Sequence, residues 1–155
     1  MQLRPTCERR RTLGKFKGEA AMRSEPVDPP AQCFMVNHLH QTDFKAAGLR
    51  SYSAYRDLGI AAATKGLATG HVIRMTEPFT DEQRQKHHHN VKFQLVYVLK
   101  GWFKNEFEGE GVHIMREGSC WIQPPGIRHS VLGWSDDCEL LEIILPAEHE
   151  TVNDR

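Results

Sequence analysis

His87-His88-His89-Asn90-Val91-Lys92-Phe93-Gln94-Leu95-Val96-Tyr97-Val98-Leu99-Lys100-Gly101 is followed, sixteen residues later, by Gly118-Ser119-Cys120-Trp121-Ile122-Gln123-Pro124-Pro125-Gly126-Ile127-Arg128-His129. In a strand, residues two apart point the same way, so His87 and His89 can aim two imidazoles at one point. Gln94 differs from His89 in parity. A bulge or bend over 90–92 is therefore needed to turn it to the same side. Pro124-Pro125-Gly126 reads as a turn, because Pro sets φ and Gly accepts positive φ. That turn delivers His129 to the start of the next strand. Three imidazoles plus one oxygen donor, with positions left open, match a catalytic metal site rather than a closed structural one.

The text around these stretches is built of short segments broken by Gly, Pro and Asp. They cover 51–58, 60–64, 67–76, 93–99, 101–108, 111–116, 120–123, 129–134 and 138–145. Most are rich in Val, Ile, Tyr, Phe, Trp and Thr, and several alternate. No segment after residue 50 keeps a long helical period. Many short strands at such spacing predict a β-sandwich or barrel. Residues 42–48 could form one helical turn closed by Gly48. Along 93–99 the set Gln94, Val96, Val98 faces one way and Phe93, Leu95, Tyr97, Leu99 the other. A strand apolar on both faces must be covered on both. The cover is either segment 44–60 or a second subunit, and a homodimer is the expectation.

The chain has 155 residues, 20 Lys+Arg and 20 Asp+Glu, so its formal net charge is zero. That length suits one domain able to bury roughly 70% of its unfolded surface. A zero balance gives no reason for non-specific nucleic-acid binding. No apolar run approaches the roughly 20 residues of a membrane-spanning helix. Cys7, Cys33, Cys120 and Cys138 lack CxxC spacing, which argues for reduced thiols in a cytoplasmic protein. Residues 1–24 carry Arg4, Arg9, Arg10, Arg11, Lys15, Lys17 and Arg23 against Glu8 and Glu19, and Pro26, Pro29 and Pro30 follow. Residues 1–34 therefore read as a disordered tail. No apolar run follows Arg9-Arg10-Arg11, so an export signal is not expected. The domain is placed at 35–155, with its core motifs at about 60–147.

The two quoted stretches closely resemble the two motifs of the cupin superfamily. The first family motif is HxH, three or four residues, Glu, six residues, Gly. The second is Gly, five residues, Pro-x-Gly, two residues, His. Here His87, His89, Gln94 and Gly101 stand at the first set of positions, and Gly118, Pro124, Gly126 and His129 at the second. The short gap between them is typical of small bacterial single-domain cupins with a type-2 domain. The resemblance implies an all-β jelly-roll barrel (a double-stranded β-helix) holding one divalent metal inside. Mn, Fe, Ni, Co and Zn all remain open. The implied ligands are His87, His89, Gln94 and His129. The implied function is a metal-dependent oxygenase or lyase acting on a small carbonyl or carboxylate compound in the barrel. A non-catalytic module for ligand or metal binding is the alternative, and a sugar isomerase or epimerase a further one.

The chain departs from the family pattern at three places. Asp81 stands where the first motif has its leading Gly, and Gly133 where an Asn often follows the last His. The family's Glu ligand is Gln94. Some branches, including ones like manganese-dependent hydroxynitrile lyases, also carry Gln there. Removing a carboxylate about 4 Å from an incoming anion relieves on the order of 4 kcal/mol at an effective dielectric of about 20. Such a site favours anionic ligands and holds its metal less tightly.

Other residues carry weaker signals. His88 should point away from the site. His38-Leu39-His40 repeats the HxH pattern without the trailing motif, and His71 and His113 lack special spacing. Cys120 and Trp121 read as packing. Glu142, inside Leu140-Leu141-Glu142-Ile143-Ile144-Leu145, is a catalytic acid/base candidate if it faces the barrel, where burial would raise its pKa. Arg56 and Arg74 are either anion clamps or ion-pair partners.

Overall fold

A computed structural model describes residues 31–40, 43–46 and 50–154. The tail expected at 1–34 lies outside the described residues over 1–30. Of the helical turn expected at 42–48, residues 42, 47 and 48 lie outside them too; over 43–46 the expectation is corrected, because Lys45 exchanges main-chain hydrogen bonds with Tyr55 in an antiparallel bridge. Residues 31–40 have no regular structure.

Among the described residues, ten strands form two antiparallel five-stranded sheets. They are β1 Ser53–Asp57, β2 Thr69–Met75, β3 His87–Asn90, β4 Phe93–Lys100, β5 Trp102–Phe107, β6 Gly111–Arg116, β7 Cys120–Ile122, β8 His129–Trp134, β9 Glu139–Leu145 and β10 Glu150–Asn153. One sheet runs β1-β2-β9-β4-β7 and the other β10-β3-β8-β5-β6. The all-β jelly roll implied by the motif resemblance is thus the observed architecture. Long crossovers, not neighbouring hairpins, bring β9 beside β4 and β8 beside β3.

Segment 60–64 is a correction. Ile60–Ala63 is a short helix, α1, not a strand. Its three alanines are strong helix formers, and Gly59 enters it with φ 76°. The helix covers the outer face of β2 at Gly70. A Cβ there would stand 2.5 Å from Ile60 Cδ1 and 2.7 Å from Ile143 Cδ1. Gly101, the motif glycine, ends β4 with φ 72°, and a Cβ there would lie 2.1 Å from Ser135 Oγ. The turn from β4 into β5 thus has no room for a side chain.

The facing of Gln94 is restored by a bend at the expected place. Val91 and Lys92 carry the chain from β3 in one sheet to β4 in the other, so the bend is a corner between sheets and not a bulge. Along β4, Gln94, Val96 and Val98 point inward and are buried. Both sheets contribute to the core, with Val96, Val98 and Leu140 from one and Phe103, Val131 and Trp134 from the other. Trp134 stacks on Tyr52 at 5.1 Å and meets Phe79 edge-on at 5.0 Å. This aromatic group packs into the core, and the barrel is hollow around His87 and His129. Within segment 44–60, Ser53–Asp57 forms the edge strand beside β2 and so does not cover the outer face of β4.

Candidate metal centre

The hollow is a cavity of about 1150 Å³. Its lining includes His87, His89, Gln94 and His129 together with Arg50, His71, Gln123, Glu142 and His149. His87 and His129 are directly opposite each other in the β3–β8 pair, with ring centroids 4.2 Å apart. His89 stands 5.1 Å from His87 and 5.3 Å from His129 by the same measure. One ligand nitrogen from each of the three lies within 4.8 Å of the others. Among the described residues this is the cluster of His, Cys, Asp or Glu side chains able to hold a metal ion.

Each imidazole is anchored from behind. The Nδ1–H of His87 donates to Gln85 O at 2.9 Å, and that of His129 to Ile127 O at 3.0 Å. A carbonyl only accepts, so the proton sits on Nδ1 and the Nε2 lone pair is left to face the cavity. His89 Nδ1 lies 2.9 Å from Thr151 Oγ1, a hydroxyl that is able to accept from it in the same way. Metal-ligating histidines are held in this manner, with the tautomer fixed by the outer hydrogen bond. Burial lowers the pKa of all three to about 4, helped by the Arg50 charge at His87 and by the neighbouring rings at His89 and His129. The rings are therefore neutral at ordinary pH, as ligation requires.

Two donors use the lone pairs that a metal would take. Arg50 Nη2 donates to His87 Nε2 at 2.7 Å. Gln123 Nε2 reaches His129 Nε2 and Gln94 Oε1, each at 3.1 Å. A cation would exchange places with these donors. The donor set otherwise fits a divalent metal, with three neutral imidazoles and a carboxamide oxygen on one side of them.

Glu142 faces the barrel, but its acidity moves opposite to the expectation. Burial alone would raise its pKa. Hydrogen bonds from His71 and Gln94, with the His71 charge, outweigh burial and hold it below the usual carboxylate range. His71 Nε2 is 2.7 Å from Glu142 Oε2, and Gln94 Nε2 donates to Glu142 Oε1 at 2.6 Å.

The remaining candidates resolve simply. His88 points away and pairs with Asp154 at 3.4 Å. His38 and His40 are exposed, and His113 meets Glu110 O at 3.1 Å on the surface. Arg56 binds Asn37 and lies 3.8 Å from Asp43. Arg74 pairs with Glu139 at 2.7 Å and lies over the Phe44 ring. Both are ion-pair partners outside the cavity lining. Trp121 does line the cavity, and its Nε1 is 3.5 Å from Gln123 Oε1. Sequence reasoning missed Arg50, Gln123, Thr151 and His149. Gln123 carried a usable signal, since it immediately precedes the Pro124 turn that delivers His129.

No family model matches the chain, and no curated protein matches it in sequence. Solved structures match its fold. KdgF from Halomonas sp. is 17% identical, with a TM-score of 0.54 over 68% of this chain and 89% of its own. The polyketide cyclase RemF from Streptomyces resistomycificus is 21% identical, with a TM-score of 0.60 over 78% of this chain and 87% of its own. Salicylate 1,2-dioxygenase from Pseudoaminobacter salicylatoxidans is 12% identical, with a TM-score of 0.54 over 70% of this chain and 31% of its own. All three are cupin-fold proteins. With two facing antiparallel sheets and the imidazole cluster inside them, the chain has the cupin fold.

Proposed function

We propose that this chain is a metal-dependent enzyme, an oxygenase or lyase acting on a small carbonyl or carboxylate compound. One observation carries the reading: three imidazoles, each anchored through Nδ1, turn their Nε2 atoms into one cavity beside the Arg50 guanidinium. His87, His89, His129 and Gln94 would hold one divalent transition metal. Bound there, the metal would supply Lewis-acid polarisation of a substrate oxygen, and dioxygen chemistry if it is iron. Arg50 would orient a carboxylate or enolate by charge-assisted hydrogen bonds. Val96, Val131 and Ile144 form an apolar wall that excludes water around the organic part of the substrate. Fold neighbours that include a dioxygenase and a cyclase are compatible with this reading. We also propose a homodimer, joined through the outer face of β4, and a cytoplasmic location; no helix among the described residues is long and apolar enough to cross a membrane.

The test is elemental analysis of protein purified without added metal, then turnover of metal-loaded protein on β-diketones and aromatic acids. The readouts are oxygen uptake and product mass. Near-stoichiometric iron or manganese with turnover supports the proposal. Metal-loaded protein inert toward the whole panel counts against it.

A second reading is a binding module, or a lyase that works without metal. The hydrogen bonds of Arg50 and Gln123 to imidazole Nε2 atoms favour it, because they satisfy two of the lone pairs from within the protein. Another fold neighbour, Pac13 from Streptomyces, is described as a nucleoside dehydratase. Protein that is folded but empty of metal as purified would favour this second reading.

A further inference from the structure

We propose that Glu142 is the positioning residue for Gln94, holding its carboxamide with the oxygen toward the imidazoles. The inference rests on the reading of Gln94 as the fourth donor. The two ends of a carboxamide have nearly the same shape, and hydrogen bonding decides which end faces where. Gln94 Nε2 lies 2.6 Å from Glu142 Oε1. A carboxylate offers only lone pairs, so the amide nitrogen must be the end turned to it. The opposite end, Gln94 Oε1, accepts from Gln123 Nε2 at 3.1 Å, and the same nitrogen reaches His129 Nε2 at 3.1 Å. The oxygen is thereby on the imidazole side.

Glu142 is itself fixed. His71 stands directly opposite it in the β2–β9 register, and His71 Nε2 meets Glu142 Oε2 at 2.7 Å. Both carboxylate oxygens are used. The negative charge that a Glu at position 94 would place on the metal therefore stands one residue further out. An amide N–H held by a carboxylate shifts electron density toward the carbonyl oxygen and makes it a better donor. Replacing Gln94 by Glu is then not a simple gain of a ligand charge. It would set two carboxylates acceptor to acceptor where a 2.6 Å hydrogen bond now lies. The gain requires a donor at position 142.

The experiment titrates the metal-free full chain with Co(II) and reads the dissociation constant and the visible d–d spectrum. The variants are Q94A, E142Q, Q94E and the transposed pair Q94E/E142Q. Melting of the metal-free proteins followed by circular dichroism reports folding. E142Q is expected to weaken Co(II) binding 10- to 100-fold, in the range known for outer partners of metal ligands, and to alter the spectrum. Q94E is expected to bind less tightly than Q94E/E142Q, and the pair to regain at least wild-type affinity. If Q94A binds Co(II) as wild type does, the fourth-donor reading falls and this inference with it. If Q94A is weakened while E142Q matches wild type in affinity and spectrum, the inference alone is overturned. Should the single variants not fold, the transposed pair decides. It keeps the same groups with donor and acceptor exchanged, so wild-type affinity supports the proposal and Co(II) affinity at least tenfold below wild type overturns it.

Discussion

His89 Nδ1 is held by Thr151 Oγ1 at 2.9 Å, across the β3–β10 pair in which these two residues are directly opposite. His87 and His129 are instead anchored to main-chain carbonyls. His89 is thus the member of the cluster whose orientation depends on a removable side chain.

Thr151→Val should lower the affinity for Zn(II) by about 10- to 100-fold while leaving the fold intact. Thr151→Ser keeps the hydroxyl and should stay within a few-fold of wild type. Isothermal titration of the metal-free proteins measures both. Equal affinity for the Val and Ser forms would show that the ring needs no hydroxyl behind it.

Arg50 occupies the His87 lone pair and places a positive charge beside the cluster. Arg50→Ala should therefore tighten Zn(II) binding at least tenfold, because a like charge leaves the site. The same change should weaken binding of an aromatic carboxylate to the metal-loaded protein by about tenfold, since a charge-assisted hydrogen bond is lost. Opposite signs in the two titrations are the signature. A fall in both affinities would make Arg50 a structural residue only.

The acidity of the cluster fixes the pH dependence of the metal-free protein. Folded-state values of about 4 lie below the ordinary 6.5, so the unfolded chain binds more protons between those limits. Stability is then fully present above about pH 6.5 and is lost as pH falls through about 4. Each such histidine contributes a slope of at most about 1.4 kcal/mol per pH unit. Urea unfolding of the metal-free protein at several pH values should show the decline, and His87→Asn/His129→Asn should flatten it. A double variant with the wild-type slope would place the effect elsewhere.

How far the sequence carried the fold and the site depends on the range of each signal. The all-β class was legible because inward and outward residues alternate within one strand, as in Gln94, Val96 and Val98, whereas the jelly roll rested on the motif resemblance. The imidazole cluster was legible because its motif spacings are local. Strand β10 was not, since Glu-Thr-Val-Asn is polar and short, and with it went the partner of His89. The His71–Glu142 pair was hidden for a different reason. It joins residues far apart in the chain through the β2–β9 register, which no local pattern specifies. Half of it was within reach, because Leu140, Glu142 and Ile144 share a parity and the apolar two are buried. Arg50 lies outside any strand, where alternation gives no direction.

Cys138 has no exposed surface, and burial pushes its thiol up to about 12, with Asp137 and Glu139 adding to the shift. Cys33 and Cys120 are exposed. Iodoacetamide at pH 8 should therefore label Cys33 and Cys120 in the native protein and spare Cys138 until denaturant is added, since the thiolate is the reactive form. Peptide mapping by mass spectrometry reads this directly. Native labelling of Cys138 would mean that the core around Trp134 and Leu140 opens readily.

The outer face of β4 makes the strongest demand for a partner. Phe93, Tyr97, Leu99 and Ile122 are 36%, 37%, 40% and 53% exposed. Leu95, Leu141 and Ile143 continue the same face, because Leu95 is opposite Ile122 and Ile143, and Tyr97 is opposite Leu141. A contiguous apolar patch on three adjoining strands is costly in water and typical of an interface. If a second copy covers it, Tyr97→Glu places an unpaired carboxylate in an apolar contact, and that cost falls on association rather than on the isolated fold. The wild-type protein should elute in light-scattering chromatography at twice the chain mass at tens of micromolar. Tyr97→Glu should raise the dimer dissociation constant at least 100-fold, about 2.7 kcal/mol, with its melting temperature independent of protein concentration. A wild-type protein that is monomeric under these conditions would leave β4 bare and remove the homodimer from the proposal, without touching the imidazole cluster on the opposite face of the same sheet pair.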